Sequence, residues 1–340
     1  MSPKLSIMTK HQAGLSLVEL LIAMALSLIL MTGVISIFIS AKQGYSNQDA
    51  TAQVQESGRF ALDIMSREIR MAGYGGCSDS VSVANTLDGD AGFAETFSQG
   101  LQGYEIGSDP TKYPTELSAA TEDTDAIIVH TVDSSSDLSV TSHNPNAATI
   151  HVSEAHSLKE GNIMVLVDSN CSNMAIFAYT GPANVNDNAT NANHNTGAIG
   201  ADYQNCTKAL KGNFDCDDTS SAVKQAYSVG SALMTMDSFA FYVAPSALDP
   251  SVNSLYRLNI GGDSEELVEG VSDLEIYYGL ASSLTTMRYK KAGSVGETEW
   301  PDVKSVRLII TTSSITKVGG SPLSKTYTST TMLRNRGEET

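Results

Sequence analysis

Residues 15–41 read LSLVELLIAMALSLILMTGVISIFISA, and Glu19 carries the only charge among them. At 1.5 Å per residue this run makes about 40 Å of helix, more than the ~30 Å hydrocarbon core of a bilayer. A surface helix of a globular domain needs one polar face, and this run has none. It therefore sits in lipid or among other apolar helices. Lys4, Lys10 and His11 precede it, and the next cations are Lys42 and Arg59. That asymmetry keeps the first residues cytoplasmic and exports everything after residue 41. A secretory signal would be shorter and would end in a small-residue cleavage site after its apolar stretch. Here polar KQGYSNQDA follows, and the small pair Ala13 and Gly14 comes before. The order predicts trimming on the cytoplasmic side, with the apolar helix retained.

Glu19 is the anomaly, because a carboxylate at the membrane end of a helix costs up to a few kcal/mol unless it is neutralised or paired. Cleavage after Gly14 would place a new amine on Leu15, four residues upstream and on nearly the same helix face. Amine and carboxylate then pair within one chain or between chains staggered along a helical bundle. The plainer reading is a signal anchor with an incidental acid.

Gly14, Leu15, Ser16, Leu17, Val18 and Glu19, followed by LLIAMALSLIL, resemble the class III signal of type IV prepilins and pseudopilins. The resemblance implies a membrane aspartyl peptidase that cuts after Gly14 and methylates Leu15, with Leu15 replacing the family's usual Phe. It also implies that Glu19 sets the register of assembly.

Residues 42–71 contain no proline, and Phe60, Ile64, Met65 and Ile69 recur at helical spacing. Gly33, Gly44 and Gly58 are weak points in a helix expected over residues 15–72, with its stop in the glycine cluster at 73–76. Glu56, Ser57, Gly58, Arg59, Phe60, Ala61 and Leu62, then Arg67 to Tyr74 and the pair Gly76 and Cys77, resemble the signature of PilW-type minor pilins. So do Leu255 to Leu258, Glu266 to Val271, Leu274 to Gly279, Trp300 to Arg307 and the closing Leu333, Arg334, Asn335 and Arg336. The likeness covers about 15–76 and 254–336; the middle matches only loosely.

Beyond residue 77 the chain is rich in Ser, Thr, Asn, Asp and Gly. β-rich runs at 126–132, 149–152, 162–168, 174–180, 231–243, 273–278, 303–312 and 325–333 alternate with turn clusters. The fold class expected is α+β, pilin-like: a long N-terminal helix packed on an antiparallel head of two sheets. The organisation read is a cleaved leader at 1–14, a transmembrane or filament-core helix at 15–41, an amphipathic continuation at 42–76 and an exported head at 77–340. Residues 181–195, GPANVNDNATNANHN, and residues 93–117 read as long loops.

Four cysteines in an exported head fit two disulfides, with Cys206–Cys216 and Cys77–Cys171 the preferred pairing of three. Their spacing is poor for a metal. His151 and His156 flank Glu154 without the HExxH spacing, and the histidines as a set read as surface residues. Asp215, Asp217 and Asp218, or Asp88 and Asp90 around Gly89, offer hard oxygen ligands to calcium but follow no EF-hand loop, and solvated acidic turns are the simpler reading. No other cofactor is expected. No nucleophile elbow, phosphate loop or dinucleotide motif appears, so an enzyme is not expected. Removing residues 1–14, which hold Lys4 and Lys10 and no acid, takes the net charge from −17 to −19. Such an acidic chain is ill suited to bind nucleic acid directly.

The resemblance implies a minor pilin that primes or caps a type IV pilus and joins its tip complex. Its partners would be other minor pilins, major pilin, the prepilin peptidase, the inner-membrane platform protein and, as a further candidate, a tip adhesin. It would start as a single-pass inner-membrane protein with a periplasmic head and end on the cell surface. The alternatives are a minor pseudopilin of a type II secretion system and, from another class, a membrane-anchored exported binding protein or enzyme.

Overall fold

The computed structural model describes residues 16–76, 81–88, 96, 99–182, 188–197, 203–259, 262–283 and 286–336. Helix α1 (Leu17–Arg70) is one element of 54 residues, about 80 Å long. Met71 closes it, and Gly73, with φ of 72°, turns the chain so that its N–H donates to the His130 carbonyl at 2.8 Å.

Among the described residues only the second half of α1 is buried against the head. Ala50, Val54, Gly58, Ala61, Met65 and Ile69 form its buried stripe, in steps of three and four residues. Of the residues the sequence suggested, Met65 and Ile69 lie in this stripe and Phe60 and Ile64 do not. Phe60 is 50% exposed, and Ile64 is only partly buried. The small residues win because they allow close approach. A Cβ on Gly58 would stand 2.3 Å from Cε2 of Tyr327, so this glycine is a packing contact rather than a bending point.

Among the described residues the first eight strands are β1 (Ser82–Asn85), β2 (Leu87–Asp88), β3 (Leu101–Glu105), β4 (Asp125–Asn144), β5 (Thr149–His156), β6 (Ile163–Val167), β7 (Asn173–Ala178) and β8 (Ala189–Asn193). The rest are β9 (Gln204–Asn205), β10 (Ala232–Pro245), β11 (Asn253–Asn259), β12 (Ser264–Glu269), β13 (Val271–Ser283), β14 (Thr286–Lys290), β15 (Val303–Val318) and β16 (Ser321–Met332). The larger sheet runs β1-β7-β6-β10-β4-β5-β8, with β3 added on β4 and the β11–β12 pair on β10. The smaller one runs β14-β13-β15-β16, and β2 pairs with β9 alone. β1 lies parallel to β7; the other sheet pairings are antiparallel.

The fold is α+β with two main sheets. Strand β10 shows how they stack, since successive side chains point to opposite faces. Phe239, Phe241 and Val243 enter a core shared with α1 and the smaller sheet, while Ala240, Tyr242 and Ala244 enter a second core with β6 and β7. A third core lies beyond, around Phe177, Tyr179 and Leu233. Asp125, at the start of β4, joins the two sheets: its Oδ2 accepts from the Ile276 N–H at 2.6 Å and from Lys291 Nζ at 2.9 Å.

Two expected loops contain strands. β3 lies within 93–117 and β8 within 181–195, each zipped onto a longer neighbour by backbone hydrogen bonds. Those bonds need no apolar pattern, so composition does not reveal them.

Candidate functional site: the apolar half of the helix

Between Leu17 and Ile39 the large apolar side chains of α1 are all strongly exposed, from Leu17 at 74% to Ile35 at 48%. This surface is far larger than the few hundred Å² of contiguous apolar patch that a soluble monomer tolerates, so something covers it. Two of its three hydroxyls fold back on the helix itself. Ser27 donates to the Met24 carbonyl at 2.9 Å and Thr32 to the Ile29 carbonyl at 2.7 Å. Hydroxyls folded back on their own helix make no demand on water, as a helix in lipid or in an apolar bundle requires.

Glu19 sits at the third helical position. The Ser16 hydroxyl accepts from the Glu19 N–H at 3.2 Å, and Glu19 Oε2 accepts from the Ser16 N–H at 3.1 Å. This reciprocal pair satisfies two of the helix's free N–H groups and sets a carboxylate at the positive end of the helix dipole. The sequence carries the signal for it, Ser16-Leu17-Val18-Glu19, and the reading that looked only for an amine partner passed over it. Gly14 and Leu15, the residues assigned to cleavage and methylation, lie outside the described residues.

The helix is anchored to the head above this half. Val54 offers its carbonyl to the Thr312 hydroxyl at 3.1 Å and to the Tyr327 hydroxyl at 3.3 Å. Gln53 accepts from the Ile315 N–H at 3.1 Å, and Ser57 donates to the Glu269 carbonyl at 3.1 Å. Arg336 is buried and donates to the Trp300 carbonyl at 2.6 Å, tying the last described turn to the same core. Strands β12, β15 and β16 thus hold the second half of the helix, from which the apolar half continues.

The other predicted residues scatter. Cys206 and Cys216 form a disulfide with Cα atoms 5.9 Å apart. Cys171 is also disulfide-bonded, and Cys77, its expected partner, lies outside the described residues. Asp215 Oδ1 accepts from the N–H groups of Asp217 and Asp218, and Asp218 Oδ1 from that of Ser220, so these carboxylates shape a turn. Asp88 is exposed, and Gly89 and Asp90 fall outside the described residues. Among the described residues no three His, Cys, Asp or Glu side chains converge as metal ligands.

The histidines depart from expectation, because His130, His156 and His194 are buried. His143 Nδ1 accepts from the Tyr227 N–H at 3.1 Å, so its proton is on Nε2, which faces His194 Nε2 at 3.1 Å. Burial pulls His143 down to about 4 and His194 to about 3. His130, between Thr96 and Ser238, is pulled to about 3 by burial. Nearby, burial pushes the Asp168 carboxyl upward, but Lys211 at 2.9 Å and Ser228 hold it below the usual range. No single residue in the sequence announces the cluster of His143, Asp168, His194, Lys211, Tyr227 and Ser228, since its members come from five separate stretches.

Residues 240–335 match the model of the family described as type IV pilus-assembly protein W, and residues 9–35 match the prokaryotic N-terminal methylation motif. No curated protein and no solved structure matches the chain. The first match spans the strands that grip the helix, and the second falls on its apolar start.

Proposed function

We infer, from a chain that is a PilW-type minor pilin of the type IV pilus, that it primes or caps the filament and joins a complex at its tip. One observation carries this: an apolar half-helix wholly outside the head, continuous with a half that the head grips. In the reading proposed here the leader is cut after Gly14, Leu15 is methylated, and residues 15–41 hold the protein in the inner membrane with its head in the periplasm. The working step is transfer of that half-helix from lipid into a bundle of like helices. The two environments are equally oily, so the transfer itself costs little, and the polar group decides the register.

Glu19 is that group. In the isolated chain its carboxylate bonds the Ser16 N–H. Among neighbours it would meet the Leu15 amine of an adjoining subunit as a charge-assisted pair. Partners of this kind are other minor pilins, major pilin, the prepilin peptidase and the platform protein. The family is a structural component of pilus assembly rather than an enzyme family.

Two substitutions separate the roles of Glu19. Glu19→Gln keeps a side chain able to cap Ser16 while losing the charge; Glu19→Ala loses both. If the charge sets register, both leave the chain in the membrane and both cut surface pili, read by shearing and electron microscopy. Normal piliation with Glu19→Gln would reduce the residue to a cap. Gly14→Ala should leave the mature N-terminus unformed by mass spectrometry, and deletion of the subunit should reduce surface pili.

A further inference from the structure

The β15–β16 hairpin is basic in an acidic chain. Residues 303–336 hold Lys304, Arg307, Lys317, Lys325, Arg334 and Arg336 and no acid, within a chain whose formal charge is −17. The hairpin also runs down the helix towards its apolar half. Thr312 and Tyr327 bond Val54, and Ile315 bonds Gln53. Its tip, Lys317, Val318 and Gly319, then lines a groove with Lys42, Gln43, Ser46 and Asn47. Lys42 directly follows the apolar run, so the tip lies within about two helical turns of where that run ends.

The turn is tight. Val318 pairs with Ser321, and Gly319 and Gly320 between them have φ of 62° and 95°, so no side chain projects from the bend. Behind it, Ile315 and Leu323 are each over a third exposed. Lys42 and Lys317 are exposed, and neither makes an ion pair among the described residues. Asp249 feels the charge of Lys317, but its carboxylate is taken by the Ser251 N–H at 3.0 Å and hydroxyl at 2.7 Å.

We propose that this hairpin tip, together with Lys42, is a footing on the anionic phosphate layer of the bilayer surface. The proposal rests on the membrane reading above. Two cations flank a groove at the level where the apolar helix leaves the lipid, and the partly exposed apolar side chains of Ile315 and Leu323 stand behind them, as an interfacial contact requires. The rest of the acidic head is repelled by the same surface, so the footing orients the head as well as holding it. Each lysine should strengthen the contact about five-fold at an anionic surface.

The test uses the full chain with a fluorophore on Ser321→Cys, reconstituted into vesicles whose lipids carry a nitroxide on the headgroup. With about one-third phosphatidylglycerol the label should be strongly quenched. In pure phosphatidylcholine, or with Lys42→Gln and Lys317→Gln together, quenching should fall at least about two-fold. Flotation of the same samples reads membrane insertion independently. A chain that floats with vesicles but is quenched equally whatever the lipid charge, or not at all, overturns the footing and leaves the membrane reading intact. Contact at Ser321 only when other pilin subunits are added would make the tip a protein interface and also overturn it. A chain that floats with neither vesicle overturns the membrane reading and the footing with it.

Discussion

The two halves of α1 are continuous in backbone and opposite in circumstance. From Ala50 to Ile69 a narrow stripe of small and medium residues is sealed against the head. From Leu17 to Ile39 large residues point in every direction and stay strongly exposed among the described residues. The first arrangement is how a helix behaves when its partner is covalently attached, because one face suffices. The second is how it behaves when its partner is a solvent or a ring of equivalents, because every face must be apolar. The head therefore gains its stability from one half only, and the other is left free to change surroundings without disturbing the fold.

The broadest way to break that division is acid. His130, His143 and His194 have folded pKa values of about 3, 4 and 3, below the usual 6.5. Their neutral forms stabilise the head fully above pH ~6.5, and that contribution is lost as the pH falls from there towards 4. Three such groups give a slope of up to about 4 kcal/mol per pH unit. Asp168 and Glu266, whose values are lowered, act in a window beginning only near pH 4. Denaturant midpoints of the detergent-solubilised chain should be flat above pH 7 and drop below 6.5, while the apolar half stays helical by circular dichroism. A midpoint unchanged down to pH 4.5 would remove the buried histidines from the account.

Truncation sharpens the contrast. Met65→Ala should destabilise the head by about 2–5 kcal/mol, since its side chain is wholly buried. Leu26→Ala, in the exposed half, should leave the same unfolding curve where it was. Opening the Cys206–Cys216 disulfide with paired serines should cost about 2–4 kcal/mol, in the head alone. The smallest effect expected is Gly58→Ala, about 1–3 kcal/mol from the clash with Tyr327. Adding Tyr327→Ala should recover part of it, and strict additivity of the two would mean that they do not meet.

Much of the architecture was legible in the amino acids. The apolar run, its single acid and the absence of proline as far as residue 71 announce a long helix. The eight β-rich runs each coincide with a strand, because buried strands need β-branched and apolar residues. Strands β1, β2, β3, β8, β9, β11, β12 and β14 escaped, and all but β11 have a single strand partner; such strands are held by backbone bonds and can be polar or glycine-bearing, as Leu101 to Glu105 and Ala189 to Asn193 are. At the candidate site the apolar surface and Glu19 were visible, and the Ser16 cap was written beside them but unread. The buried histidines were not legible, because a polar ring is buried when distant segments supply its partners, as Tyr227 does for His143.

The sequence alone determined that this chain has a helix longer than any head could bury, that one end of it must lie in apolar surroundings, and that a single carboxylate stands near that end. Those are properties of residues counted along a line. Which face of the helix meets the head, where the basic hairpin comes to rest and which polar groups go inside were decided only when the sheets closed. Close approach at Gly58, the descent of β15 and β16 along the helix and the pairing of His143 with His194 join residues far apart in the chain. Such contacts are set by steric fit and hydrogen-bond geometry, which composition and spacing do not encode.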